Sequence, residues 1–447
     1  MAGKGSVEKR GGNAWRLVVS VGMKDNQQIK KKKSVTTAAS CPESSCRGCS
    51  KMSRCKARKE VEKALAEFVL EIEKGVYFEP TKLTFKDFAD RWLRDYAEKE
   101  LAPKTTFRYR QLLDSRIYPA MGHLAVEKIT PVHLMEFYAN LQEEGIRLDG
   151  KPGKLSPTTL RHHHRLISSI LNTAVQWQVI QSNPAARIKP PRVPKQKAGC
   201  YDESQTAALL AALENEPFKY RMAIALAVDT GVREGELVGL TWPAVDFENS
   251  TIEILQSAQY LPGKGDFVKL PKNETSLRVI SITPSTMALL KQYKAHQAAQ
   301  RLKVGDLWQG TERLFTTWDG RPMHTYTVGS WFAKFLKRTT FHKPCNMPIG
   351  KEVTCPHCNK PIKEEDIYTL PPLPFHGLRH TAATMLISTG MDAKAVSGRF
   401  GHSNIGTTYD IYGHLLRSVD KEAADRIENV YQRMKGNTIK ETEKEQA

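Results

Sequence analysis

Between residues 81 and 182 apolar side chains recur three and four apart, the spacing that gathers them on one face of an α-helix. Phe85, Phe88, Ala89, Trp92, Leu93 and Tyr96 form one such stripe. Pro103-Lys104-Thr105-Thr106 has the composition of a helix start, and Phe107, Leu112, Leu113, Ile117 and Tyr118 follow it. Pro131 opens a third stripe through Leu134, Phe137 and Leu141. Ser156-Pro157-Thr158-Thr159 opens a fourth through Leu166, Ile170, Leu171, Ala174 and Trp177. The whole stretch reads as helical, with the stripes as core. Its polar faces hold Lys104, Arg108, Arg110, Arg161, His162, His163, His164 and Arg165 and read as surface able to meet phosphates. Three successive histidines cannot share one helical face, so no metal site is read there.

The period changes on either side of this stretch. Trp15, Leu17, Val19 and Val21 alternate with Arg16, Val18 and Ser20, which predicts a strand. Lys24-Asp25-Asn26 is turn chemistry, and residues 29–35 return as a second strand carrying Lys30 to Lys33. A helix over 56–74 follows, with Val61, Leu65, Phe68, Val69 and Ile72 on one side. Residues 183–197 hold four prolines and five basic residues and read as a stiff, basic linker. Beyond it, Asp202-Glu203-Ser204-Gln205 is a capping box. A buried helix over 218–229 ends at Gly231, and Arg233 opens the next, with Glu236 three residues on in reach to fix it. Strand candidates lie at 251–256, 267–270 and 277–282, with 271–276 as a hairpin tip between the last two. Helices return at Leu378 to Leu386, 393–399 and 417–434, the last carrying Val419, Ile427, Val430, Tyr431 and Met434. The expected fold is multidomain and mainly α: a small basic α+β domain at 1–78, a helical domain at 79–185, a linker at 186–200, a mixed, mostly helical α/β domain at 201–434, and a charged, disordered tail at 435–447.

Composition narrows the partners. The chain has 447 residues and a net charge of +19. Residues 1–60 alone hold 15 Lys+Arg against 4 Asp+Glu, a concentration that suits a polyanion. No apolar run is long enough for a membrane span, and the N-terminus is charged where a secretion signal needs an apolar core. The expected compartment is the cytoplasm, with no membrane partner.

Eight cysteines are too few for a disulfide scaffold, and seven of them cluster. Cys41, Cys46, Cys49 and Cys55 have C-x4-C-x2-C-x5-C spacing, enough thiolates for one zinc ion, although no standard finger is spaced this way. His342-x2-Cys345 and Cys355-x2-Cys358 form two ligand pairs, with His357 an alternate, in an insert at 342–361. Either set is a candidate structural zinc site. Cys200 stands alone and reads as an ordinary buried thiol.

Residues 375–414 hold the chemistry: His376, Arg379, His402, Tyr409 and Tyr412, with Arg233 supplied from Thr230 to Leu237. Two arginines match the non-bridging oxygens of a phosphodiester with planar, always-charged forks. A tyrosine hydroxyl ionises near about pH 10 and needs cationic neighbours or a base to attack phosphorus. Histidine moves protons either way near neutrality. The set suits phosphoryl transfer onto a protein hydroxyl.

These segments, TGVREGEL, HGLRHTAATML, GHSNIGTTYDIY and the closing YGHL, resemble the tyrosine recombinase (phage-integrase) family in order and spacing over roughly residues 82–432. Phe400 stands where the family usually has leucine before the Gly-His. The resemblance implies a mobile-element integrase: an arm-type DNA-binding domain first, a core-binding SAM-like domain next, then the catalytic domain. It implies that Tyr412, just before Gly413-His414-Leu415, is the nucleophile and Tyr409 a packing residue. Arg233 and Arg379 would clamp the phosphate, His376 would transfer a proton, and His402 would donate a hydrogen bond. Lys272 would protonate the leaving 5′ oxygen, with Lys269 as the competing lysine. It further implies no cofactor for catalysis, double-stranded attachment-site DNA as substrate, a homotetramer on DNA, and a directionality factor. A chromosome-dimer resolvase, a relaxing topoisomerase with the same chemistry, and a non-catalytic DNA-binding regulator are the rival readings.

Overall fold

The computed structural model describes residues 5–24, 27–39, 55–73, 83–194, 199–269, 277–401, and 427, 428, 430–432 and 434. The chain divides into two compact units, Met1–Pro194 and Lys195–Ala447.

The first unit begins with β1 (Ser6–Gly11), β2 (Ala14–Lys24) and β3 (Gln27–Thr36), an antiparallel meander in that order, followed by α1 (Lys56–Glu73). Trp15, Leu17 and Val19 alternate onto the inner face and are buried with Ala57, Val61 and Phe68 of α1. The register Ser20↔Lys30 and Val18↔Lys32 therefore puts Lys30 and Lys32 on the opposite, exposed face. Lys33 lies on the inner side, 2.7 Å from the Glu71 carboxylate and over the Phe68 ring. β1 is an addition to the two predicted strands. Its sequence SVEKRG offers a single apolar residue, and its place comes from pairing with β2.

The helical part follows. α2 (Phe85–Trp92) runs through a π-helical turn, Leu93–Ala97, into α3 (Glu98–Glu100). α4 (Pro103–Leu112) does the same through Leu113–Ile117 into α5 (Tyr118–Met121). α6 (Pro131–Asn140) and α7 (Pro157–Gln176) complete it. Side-chain caps start α2 and α7: Thr84 Oγ1 accepts from the Asp87 N–H, and Ser156 Oγ accepts from the Thr159 N–H. The stripes meet in one apolar core, where the Trp92 indole donates to Thr173 Oγ1 at 3.0 Å.

Two of the residues read as phosphate-facing are not on the surface. His163 and His164 lie three and four positions after Leu160, on the same buried stripe, and both are buried. His164 Nδ1 is 3.1 Å from the Tyr138 hydroxyl, and His163 Nδ1 is 2.9 Å from the Thr159 carbonyl. Burial pushes both imidazoles below their ordinary range.

The second unit starts with α8 (Glu203–Ala212), whose Asp202–Gln205 capping box forms as expected. α9 (Phe218–Thr230) is its central helix, buried through Met222, Ala223, Ile224, Leu226 and Ala227. α10 (Glu234–Gly239) leads to β4 (Val245–Asp246), β5 (Thr251–Ile254), β6 (Ser257–Leu261), β7 (Gly265–Lys269) and β8 (Arg278–Ser281). The strands form two sheets, β4-β5-β8 and β6-β7. The predicted hairpin between the last two strand candidates is therefore not formed among the described residues: β7 pairs with β6, and β8 pairs with β5.

α11 (Pro284–Val304) and α12 (Thr327–Arg338) come next. The insert follows as β9 (Thr340–His342), β10 (Met347–Ile349) and β11 (Ile367–Tyr368), in order β10-β9-β11. α13 (Phe375–Ser388) and α14 (Ala393–Phe400) follow it. Cys200, read as a buried thiol, is exposed where the chain enters this unit. Ile427, Val430, Tyr431 and Met434 are exposed. Among the described residues no helix is long and apolar enough to cross a membrane.

Candidate active site and a cysteine–histidine cluster

α9 ends at Gly231, in left-handed conformation with φ +62°. A Cβ at this position would stand 1.8 Å from Phe400 Cε1, so the turn needs glycine for its dihedral and for its close approach. The turn exposes the Gly231 carbonyl, and α14 ends likewise at Gly401, with φ +62°. Helix C-termini leave carbonyls without intrahelical partners and carry partial negative charge. The candidate arginines meet that charge. Arg379, 2% exposed, donates from Nη1 to the Gly231 carbonyl at 2.8 Å and from Nη2 to the Phe400 carbonyl at 2.6 Å. Its guanidinium also lies 4.9 Å from the Phe400 ring centroid.

Arg233 occupies the N-cap of α10, and its Nη2 is 3.4 Å from the Gly401 carbonyl. Glu236 holds it from two directions: Oε1 accepts from Nη1 at 2.7 Å, and Oε2 accepts from the Arg233 backbone N–H at 3.0 Å. The Arg233 side chain stays 40% exposed, against 8% for Glu236. Burial alone would raise the Glu236 carboxyl. The Arg278 fork, with Nη2 at 2.7 Å, and Arg233 outweigh it and hold the carboxyl below its ordinary range.

His376 stands in the first turn of α13, one turn before Arg379. Desolvation and the positive field of Arg379 and Arg233 lower its imidazole, with Glu236 opposing them. His380 packs edge-on against it at 4.9 Å and is pushed down to about 4 by burial, His376 and Arg379. Both rings are therefore neutral near pH 7. The start of α13 is tied down by Tyr201, whose N–H donates to Thr381 Oγ1 at 2.9 Å and whose hydroxyl donates to the Pro371 carbonyl at 2.6 Å.

Arg233, His376 and Arg379 are thus brought together at the ends of α9 and α14. Lys272, His402, Tyr412 and Tyr409 lie outside the described residues, and Lys269 ends β7. One participant was not singled out from the sequence. Arg278 is the second cation on Glu236, and its position at a strand start gave no motif to mark it.

His342, Cys345, Cys355 and Cys358 also converge, with ligand atoms all within 4.8 Å of one another. Cys345 Sγ is 3.5 Å from His342 Nδ1 and 3.6 Å from Cys355 Sγ, and Cys358 Sγ is 3.3 Å from His342 Nδ1. Zinc–sulfur bonds near 2.3 Å and zinc–nitrogen bonds near 2.0 Å give tetrahedral edges of roughly 3.5–3.8 Å, so the four atoms fit one ion. Against a burial that raises it, the N–H groups of His357 and Cys358 and the neighbouring thiols draw the Cys355 thiol down to about 6. Of the other cluster only Cys55 is described; Cys41, Cys46 and Cys49 lie outside the described residues.

Residues 200–418 match the Phage integrase family model, and residues 84–142 match that of the phage integrase N-terminal SAM-like domain. A tyrosine recombinase XerC-like protein of Caldanaerobacter subterraneus is 23% identical over 96% of this chain and 100% of its own length. The ICEBs1 integrase of Bacillus subtilis is 25% identical over 68% of this chain and 72% of its own. Among solved structures, the Tn1549 transposon integrase in complex with transposon right end DNA superposes with a TM-score of 0.60 at 20% identity, covering 76% of this chain and 99% of that one, a likeness of fold. Family models over both units, relatives spanning the chain and the shared fold agree: the chain belongs to the phage integrase family of tyrosine recombinases, enzymes of site-specific DNA recombination.

Proposed function

We propose that this recombinase integrates and excises a mobile element by cutting duplex DNA at paired attachment sites through Tyr412. The tyrosine oxygen bonds to the scissile phosphorus as the bond to the 5′ oxygen breaks, leaving a 3′-phosphotyrosyl link and a free 5′-hydroxyl. The tyrosine proton passes to His376, whose imidazole is neutral near pH 7 and so free to take it. Lys272, with Lys269 as second candidate, protonates the leaving oxygen. Attack by a 5′-hydroxyl of the partner strand reverses each step, so the phosphodiester energy is kept and no nucleotide is consumed. Arg233 and Arg379 hold the non-bridging oxygens, and His402 donates a further hydrogen bond. The roles of Lys272, His402 and Tyr412 rest on the family pattern of the sequence.

The observation that carries the reading is the convergence of Arg233 and Arg379 on the Gly231, Phe400 and Gly401 carbonyls, with the His376 imidazole in their field. Carbonyl anchors fix Arg379 without opposing its charge, and Arg233, oriented by the Glu236 carboxylate, stays 40% exposed and so open to an anionic phosphate. Residues 1–78 act as an arm-type DNA-binding domain, 79–185 as the core-binding domain and 201–434 as the catalytic domain, assembled as a tetramer on two sites with a directionality factor setting the outcome. The complex of the Tn1549 transposon integrase with transposon right end DNA supports DNA as substrate. The insert cluster holds one structural zinc: with four protein ligands it has no open position for chemistry.

The test is strand exchange between two differently marked duplexes tiled from the DNA flanking the gene, with no divalent ion and no nucleotide added. Recombinant product is expected. Relaxation of supercoils without exchange would point to a topoisomerase, and sequence-specific binding with neither activity to a regulator.

A further inference from the structure

Arg278 opens β8, the strand that follows the Lys272 segment. Its side chain is 6% exposed, yet it points its whole fork at the candidate active site. Nη2 donates to Glu236 Oε2 at 2.7 Å, Nη1 lies 3.4 Å from Oε1, and Nε donates to the Arg399 carbonyl at 2.9 Å. Glu236 is therefore a carboxylate shared by two arginines, one enclosed and one half exposed toward the phosphate position. Arg399 returns the link: its Nη2 donates to the Ser281 carbonyl at 3.0 Å and to the Asp229 carbonyl at 3.1 Å. Asp229 in turn accepts from the Thr283 N–H at 2.9 Å. Both ends of β8 are thus tied to the last turn of α14, whose next two carbonyls, of Phe400 and Gly401, hold Arg379 and Arg233.

We propose that Arg278 is a positioning residue for DNA cleavage. Through Glu236 it sets the rotamer of Arg233, and through the Arg399 carbonyl it sets the helix end on which both arginines rest. It touches no substrate itself. A lysine could keep the charge but not three donors in one plane. This role rests on the function proposed above.

Arg278 also keeps Glu236 ionised. The charged and titratable groups facing that carboxylate are Arg233 on α10, Arg278 on β8 and His376 on α13. Removing Arg278 raises the Glu236 carboxyl, so the anion that orients Arg233 is lost at a higher pH as acid is added. The acidic limb of the cleavage profile must then move to higher pH.

The experiment uses the full chain and a nicked duplex on which the wild type forms a denaturant-stable adduct. It compares Arg278→Met and Arg278→Lys by adduct rate across pH, DNA binding and thermal melting. For Arg278→Met, DNA binding within about threefold of wild type and adduct formation slower by roughly 100-fold are expected, since displacing a catalytic group by an ångström costs that much. The acidic limb should move up in Arg278→Met and stay in place in Arg278→Lys, which should recover about tenfold in rate. Equal adduct rates in wild type and both variants would overturn the role. A rate loss that only parallels lost binding and lowered melting, with the pH profile unmoved, would make Arg278 a packing residue. If Arg278→Met does not fold, Arg278→Lys decides: with melting unchanged, a wild-type rate overturns the proposal. A wild type that forms no adduct anywhere removes the proposed function and this role together, whereas a cleaving wild type with cleaving variants removes this role alone.

Discussion

At the scale of single residues, the site depends on carbonyls turned outward by two glycines. Gly231→Ala forces a left-handed φ on alanine and drives its Cβ into Phe400. The variant is expected to lose about 3 kcal/mol of stability from overpacking and backbone strain, read as a lower midpoint in denaturant. An unchanged midpoint would mean that the turn and Phe400 are less tightly coupled than the close approach requires. Arg379→Lys tests the fork. An ammonium cannot donate to the Gly231 and Phe400 carbonyls in the same plane and still face a phosphate. Cleavage should fall on the order of 100-fold or more with DNA binding little changed; single-turnover rates beside binding isotherms would show it, and equal loss of both would contradict it. Arg233, His376 and Arg379 were legible because glycine punctuation and short helical spacing surround them. Arg278 was not, because no local pattern links a strand arginine to a glutamate 42 positions earlier. His163 and His164 were misread for a different reason. Their polarity drew them to the surface, although their spacing from Leu160 already put them on the buried stripe.

At the scale of elements, helices were easier to read than strands. The stripes of α2, α4, α6 and α7 are periodic over many residues; Thr84, Thr130 and Ser156 cap α2, α6 and α7 through local hydrogen bonds, and Pro103 opens α4. β6 carries a mixed pattern, SAQYL, and its place is set by α10. A Cβ on Gly235 would come within 2.7 Å of the Ala258 carbonyl, and one on Gly239 within 3.0 Å of the Ala258 nitrogen. Two glycines four apart on a short helix were the available sign of a close backbone neighbour. The insert is the element with the clearest separable test. β10 is fastened to α8 by Asn346, whose Nδ2 donates to the Ser204 carbonyl and lies 2.9 Å from its hydroxyl, and Phe341 of β9 enters the core of the unit. Metal analysis of purified protein should find one zinc lost in Cys358→Ser. Chelation should lower stability by about 4 kcal/mol for an ion present at a thousandfold excess over its dissociation constant. Protein that holds no zinc, or melts alike with and without it, would contradict the structural role.

For the whole molecule, charge and covalent chemistry have to act on the same DNA. Lys30 and Lys32 stand on the exposed face of the N-terminal sheet, opposite the Trp15, Leu17 and Val19 core. If that face lies along the phosphate backbone, replacing both with alanine should lower the slope of log affinity against log salt by about 2, near 0.9 per released counterion. An unchanged slope would put the arm contacts elsewhere. The division near Pro194 falls in the proline-rich, basic stretch that composition marks as a linker. The return of β3 on β2 followed from the local turn, whereas the pairing of β8 with β5 was beyond the sequence, because its register is set by a partner far along the chain.

The central claim is that Tyr412 becomes covalently joined to DNA at a phosphate bound by Arg233 and Arg379. Its most direct measurement is the protein–DNA adduct that survives denaturant on nicked duplexes, compared among wild type, Tyr412→Phe and Tyr409→Phe. The account predicts an adduct in wild type and in Tyr409→Phe and none in Tyr412→Phe. An adduct that persists in Tyr412→Phe and disappears in Tyr409→Phe would contradict the assigned nucleophile. Sequence-specific binding with no adduct in any of the three would contradict the chemistry itself.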